Sequence, residues 1–412
     1  MKRIPNSLRL LSICLALSLA AGALSAQDSS NRYTPKAERQ SRIDSNDATG
    51  SFSALAPFSR DSSPLQLGPV LFRPGIYYTY TDASNLLRGV GDEQDSEIQD
   101  ISLNLVFDYQ EFWTFSYQPS WTYYSNDAFD DSDSHSASFF SDFVVADWSV
   151  GFSQTYRDSS NSLVQTGSQT PQESWGTTLS ASRQLNASLY LDLSTNQDLR
   201  STRSFSDVRQ NSVSAWMRYQ ASPTTNSSIG ITWGYADIDP GFNTEFTQFL
   251  LRFGFKPSDK LTANLQGGID SREVDAPGFS KEDNPTYNAS LQYQPFDYTT
   301  VGVSLSRGIS ASYFSNVNNE TEALTLSLRQ RLLGRFFLTA SLSERSSEYL
   351  DLLGAFAVGR ADDYDSFSVS LSTKLVDKVS VSAFYRKNEN ATNLLGYGFS
   401  SDQTGFQIGY QY

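Results

Sequence analysis

The sequence predicts an all-β fold, a transmembrane antiparallel up-and-down β-barrel of about 18 strands, with 16 as the neighbouring even count. Three observations carry that prediction. The amino terminus reads as an export leader. Apolar residues alternate with small polar ones through most of the remaining chain. Short turns alternate with long polar connections, as they do when every second connection lies on the same side of a membrane.

The leader comes first. Lys2, Arg3 and Arg9 precede an apolar run from Leu10 to Ala21, which is too short to cross a bilayer, and small residues follow at Ala23 and Ala26. Residues 1–26 are therefore the expected signal peptide, with cleavage after Ala26 and Ala23 as the alternative. Cys14 lies inside the apolar run behind Ile13, a poor fit to a lipoprotein site. It is the only cysteine, so the mature chain has no disulfide and no thiolate metal site. Residues 27–66 are polar, mixed in charge and without either period, and read as a flexible periplasmic segment ahead of a barrel over 67–412.

No segment offers the roughly 18 consecutive apolar residues that a membrane helix needs. A chain that spans without helices must close a barrel, because only closure satisfies every backbone donor and acceptor in lipid. Composition agrees: 27 Phe and 22 Tyr stand against 2 Met and 1 His, the profile of pleated amphipathic surfaces. Losing the three basic leader residues takes 31 Lys plus Arg to 28 against 45 acids, a charge near −17. That acidity excludes nucleic acid as a partner.

The strands follow in order. Phe72, Ile76, Tyr78 and Tyr80 share one phase, as do Ile101 to Tyr109 and Trp113 to Tyr123 at alternate positions. Ile229 to Tyr235, Phe249 to Phe255, Tyr287 to Tyr293, Leu324 to Leu328 and Phe367 to Leu371 continue the series. Each segment is about 9 to 13 residues, enough to cross the hydrocarbon layer when tilted. Short turns fall near residues 110–111, 146–147, 184–186, 222–225, 257–260, 295–297, 333–335 and 376–378. Between them, polar connections are expected over 82–97, 126–136, 158–173, 196–207, 236–243, 270–284, 310–320, 345–363 and 387–402. Nine long connections and eight short ones give the even strand number, with both ends on the periplasmic side. The last strand places Phe406, Ile408, Tyr410 and Tyr412 on one face, an expected signal to the barrel assembly machinery as well as a surface for outer-membrane lipid.

The opposite phase should line a wet lumen. It is mostly small and neutral, as at Ser102, Asn104, Ser212, Ser214, Thr232, Ser368 and Ser370, and it carries a scatter of cations: Arg73, Arg218, Arg252, Arg329, Arg331, Lys374 and Arg386. Asp108 and Asp192 are the expected counter-charges. Such a wall favours anions, or it merely braces itself with ion pairs. Arg329 and Arg331, two apart, are expected near Lys374 and Arg386 as a basic ladder. Tyr77, Tyr124, Tyr190 and Trp216 are inward aromatics that would stack on sugar rings or fill space. The acidic stretch Asp130, Asp131, Asp133 and His135 has the oxygen ligands of a cation loop but neither its glycine nor its terminal glutamate, and reads as solvated surface. His135, the sole histidine, is expected in a flexible loop away from any serine nucleophile, so no catalytic residue, metal ligand or cofactor-binding motif is assigned and the chain is read as no enzyme.

Leu65 to Val70 leading into a strand at Phe72 to Tyr80, followed by uniform Ser- and Tyr-rich hairpins to a terminal aromatic, resembles the porin-like group of bacterial outer-membrane β-barrels, some of which accompany exopolysaccharide systems. The resemblance implies an outer-membrane location. It also implies a channel for small hydrophilic or anionic solutes, or else a barrel that exports or retains a surface polysaccharide. A third reading is an occluded structural barrel or adhesin acting through its acidic extracellular loops.

Overall fold

The computed structural model describes residues 64–86, 94–110, 112–276, 281–351 and 359–412. The expected leader, Cys14 and nearly all of the segment over 27–66 lie outside the described residues.

A three-residue strand, β1 (Leu65–Leu67), turns at Gly68 into β2 (Val70–Ala83). The first hairpins are β3 (Ser96–Tyr109) with β4 (Trp113–Tyr124), β5 (Ser132–Val145) with β6 (Trp148–Leu163), and β7 (Ser168–Gln184) with β8 (Leu189–Thr202). Next come β9 (Asp207–Ser222) with β10 (Thr225–Asp239), β11 (Thr244–Ser258) with β12 (Leu261–Val274), and β13 (Glu282–Phe296) with β14 (Thr299–Ala311). The series ends with β15 (Val317–Leu332), β16 (Phe336–Asp351), β17 (Ala361–Val376), β18 (Val379–Thr392) and β19 (Phe399–Gln411).

Every strand from β2 to β19 pairs antiparallel with the next, and β19 closes on β2 through Phe406 opposite Tyr80, Ile408 opposite Tyr78 and Tyr410 opposite Ile76. The result is a closed barrel of 18 strands. β1 is outside the ring. It pairs with the start of β2, Leu65 opposite Phe72, along the edge that β19 leaves at Gly75. Closure matters energetically, because it leaves no row of unpaired backbone groups in lipid.

All eight short turns fall where the alternation of connections predicts, for example Ala146-Asp147, whose two positive φ angles (46° and 68°) suit the twist of a two-residue hairpin. The long connections are shorter than expected. The stretch over 158–173 contains only a four-residue turn, because β6 continues to Leu163 and β7 begins at Ser168. Barrel strands run from 12 to 17 residues, beyond the length that lipid requires. Outside the hydrocarbon layer a strand needs no apolar face, yet its ladder still pays off in hydrogen bonds, so polar residues such as Glu273, Glu344, Asp362, Asp363 and Asp365 are strand residues.

The outward phase forms the apolar belt. Ile229 and Leu251 are each 62 % exposed and lie directly opposite one another, with Phe249, Trp233 and Leu265 nearby on the same face. Phe406, Ile408 and Tyr410 belong to that belt, while Tyr412 lies past the strand end, its N–H donating to Pro74 O and its ring 3.3 Å from Lys378 Nζ. Buried apolar clusters are small and sit at the loop end: Ala83, Leu86 and Phe129 with Ile98 and Tyr124, and Val164 with Tyr364 and Phe399.

Candidate functional site: the lumen

Because side chains alternate, the pairing register assigns each one to lipid or to lumen. Leu251 and Arg252 are adjacent, and the first faces lipid while the second faces in. All seven basic positions singled out in the sequence fall on the inward phase, opposite inward partners.

The periplasmic half of the wall holds most of the basic positions, each within a few residues of a short turn. Arg73 is paired with Asp108. Arg218 makes a two-pronged contact with Asp192, Nε to Oδ2 at 2.9 Å and Nη2 to Oδ1 at 3.2 Å, and its guanidinium lies 4.3 Å from the Tyr190 ring centre. Ser182 donates to the same carboxylate. Asp142, opposite Gly151 on β6, is a further inward acid that the alternation alone did not bring forward.

Three arginines differ. Arg252 Nε donates to the neutral Gln266 Oε1 and its guanidinium lies 3.7 Å from the centre of the Trp216 ring. Arg329 and Arg331 both lie over Phe337, at 5.0 and 5.7 Å, and Arg331 Nε donates to Gly334 O. None of the three has a carboxylate partner among the described residues. Two like charges therefore share one aromatic ring, and with Lys374 on β17 they give this wall an excess of positive charge over Asp108, Asp142 and Asp192.

Trp216 shows why glycine is placed in these strands. Gly230 is opposite it on β10, and a Cβ there would come within 2.3 Å of the indole. The ring lies flat over the glycine and carries Arg252 beside it. Phe246 repeats the arrangement over Gly234, with Arg272 5.0 Å from its centre, and Tyr77 lies against Gly409. Tyr190 and Trp216 are thus already engaged by guanidinium groups. Tyr124 sits elsewhere, stacked on Phe129 at 5.4 Å near the loop end.

The register sets the rows of the expected ladder. Arg386 is opposite Ser368, which is opposite Ser341, which in turn is opposite Ser327. Arg329 instead shares its row with Thr339 and Ser370. Arg386 is therefore one inward row toward the loop end from Arg329 and three strands away from it, and it hydrogen-bonds Gln403. His135 also moves: it lies in β5 on the outer face, parallel to Tyr117 with Nδ1 3.0 Å from the phenol oxygen. The alternating serines around it look like a loop in sequence but form the inward phase of a strand.

The loop-end group contains what the sequence reading missed. Arg200, Arg272, Arg345 and Arg360 all fall in stretches expected to be loops. Arg272 pairs with Asp270 at 3.0 Å. Arg200 lies 4.0 Å from the Tyr313 ring centre and donates to Ser312 O. Arg360 is fully buried, bonded to Asp362 and lying over Tyr349 and Tyr397. Extending the in-out alternation past the lipid layer would have found three of them, since Arg200 shares its phase with Asp192, Arg272 with Asp270 and Arg345 with Phe337.

Two connections cross the bore here. The β6–β7 turn reaches the wall formed by β15 to β19, and the β14–β15 connection reaches the opposite way, Tyr313 Oη donating to Gln172 on β7. They meet where Gln165 Nε2 donates to Ser312 Oγ at 2.6 Å. Among the described residues no group of three or more His, Cys, Asp or Glu side chains is placed to hold a metal ion.

No protein-family model matches the chain, and no curated protein matches it. Among solved structures it is similar to OccK2 (OpdF) of Pseudomonas aeruginosa in complex with glucuronate, at 14 % identity over 82 % of this chain and 97 % of that one, TM-score 0.46. OpdK of the same organism, solved with vanillate, gives 11 % identity over 83 % and 98 %, TM-score 0.45. OccAB3 of Acinetobacter baumannii gives 10 % identity over 83 % and 99 %, TM-score 0.43. The closed ladder and apolar belt decide the class. This is an integral outer-membrane β-barrel.

Proposed function

We propose that the barrel is a diffusion channel for small anionic solutes, with the periplasmic half of its wall as the selective region. The observation that carries this reading is the trio Arg252, Arg329 and Arg331, inward cations held by aromatic rings and neutral acceptors with no carboxylate partner among the described residues. A wall braced by ion pairs would match each of them with an acid, as it matches Arg73 and Arg218. In a lumen narrower than bulk solvent, fixed charge of one sign concentrates the opposite ion.

The test is a planar-bilayer measurement of reversal potential under a salt gradient, with the mature chain from Gln27 refolded into lipid. The native channel is expected to prefer anions. The combined Arg252→Gln, Arg329→Gln and Arg331→Gln variant is expected to lose that preference. An unchanged reversal potential in the triple variant sinks this reading. Asp192→Asn should act in the opposite direction, because it frees the Arg218 charge without removing it. Both effects should shrink as salt rises toward molar concentration, where the screening length falls to about 3 Å.

A further inference from the structure

β7 is the longest strand of the barrel, at 17 residues, and with β6 it carries the turn over 164–167 off its own wall. β7 and β16 stand across the ring from one another, yet Val164 packs on Tyr364 and Phe399 of the far wall. The main hold is a single side chain. Arg360 Nη1 donates to Gln165 O at 2.7 Å and Nη2 to Val164 O at 3.2 Å, while Asp362 takes Nε at 3.0 Å. Gly167, at φ 65°, closes the turn in a conformation that favours glycine, its N–H donating to Leu163 O.

We propose that this turn is a gate: its docked position on Arg360 is the shut state of the mouth, and solute passage requires it to leave the far wall. The proposal rests on the channel reading. The nature of the contact separates a gate from a permanent plug. A plug is held by close-packed apolar area, but here Val164 is the one residue of the turn in a buried apolar cluster, and the guanidinium, ion-paired with Asp362 on its own wall, reaches the turn only through two neutral carbonyls. Beneath the turn lies a small polar cavity with room for about one water. Asn319 and Asn390 line it, both at least nine-tenths buried, and neither side-chain oxygen has a hydrogen-bond partner among the described residues. Docking keeps those acceptors from bulk solvent and undocking returns them to it, so the docked state is opposed by a cost that a dry apolar seam would not carry.

The test joins the tip of the turn to the β14–β15 connection that meets it in the bore, so that the tip cannot leave its docked position. Gln165→Cys with Ser312→Cys, in the mature chain that contains no other cysteine, is bridged by a short reducible bifunctional thiol reagent and recorded in a planar bilayer before and after reductant. The bridged form is expected to pass a small fraction of the current of the reduced form. Arg360→Gln, checked for folding by its heat-modifiable mobility, is expected to spend several times longer open than the native barrel. Equal conductance in bridged and reduced forms, with Arg360→Gln indistinguishable from native, overturns the gate while leaving the channel reading in place. Silence from every form, although folded, overturns both.

Discussion

Leu251→Arg is expected to destabilise the assembled barrel by about 2–4 kcal/mol, whereas the native arginine one residue later is tolerated. Leu251 is in the middle of β11, opposite Ile229, and 62 % exposed on the outward face. An arginine at the middle of the hydrocarbon layer costs about 2–4 kcal/mol on a barrel surface. Arg252 pays none of this, since it points into the lumen between Trp216 and Gln266. The measurement is the fraction of heat-modifiable barrel after refolding into vesicles across a urea series. The urea midpoint of Leu251→Arg should fall well below that of Arg252→Gln, and equal midpoints would show that this phase does not face lipid.

That contrast also marks how much the sequence carries. Within the membrane layer the code is strict, because a one-residue slip moves a whole apolar set from lipid to water. The phases of Ile229 to Tyr235, Phe249 to Phe255 and Phe406 to Tyr410 were readable for this reason, and so were the turns between them. Above the layer, selection on the outward phase is released. β6 and β7 keep pairing through Ser159, Ser162 and Thr170, residues that read as loop by composition. The basic positions near the periplasmic turns were visible because apolar neighbours fixed their phase. Arg345 lies past the apolar alternation of Leu338, Ala340 and Leu342, and nothing apolar alternates around Arg360. Long-range partners were also out of reach: the contact of Arg360 with Val164 and Gln165 joins residues 196 and 195 positions apart and follows no local period.

Gly268→Ala is expected to destabilise the barrel by about 3 kcal/mol, at the upper end for overpacking. Gly268 faces inward on β12, opposite Leu250 and Thr286. A Cβ there would lie 1.8 Å from Phe249 O and 2.8 Å from its carbonyl carbon. The obstacle is backbone, so no side chain can swing aside, and relief requires the β11–β12 ladder to part where it supports Arg252 and Gln266. Gly308 is the matched control. It too is an inward strand glycine, but nothing lies within 4 Å of its Cβ position. Removing the backbone freedom of glycine should make Gly308→Ala neutral or slightly stabilising, by up to about 1 kcal/mol. Urea unfolding of the two variants in the same vesicles separates steric cost from conformational entropy. Similar midpoints would mean that β11 and β12 lie farther apart than their register and contacts describe.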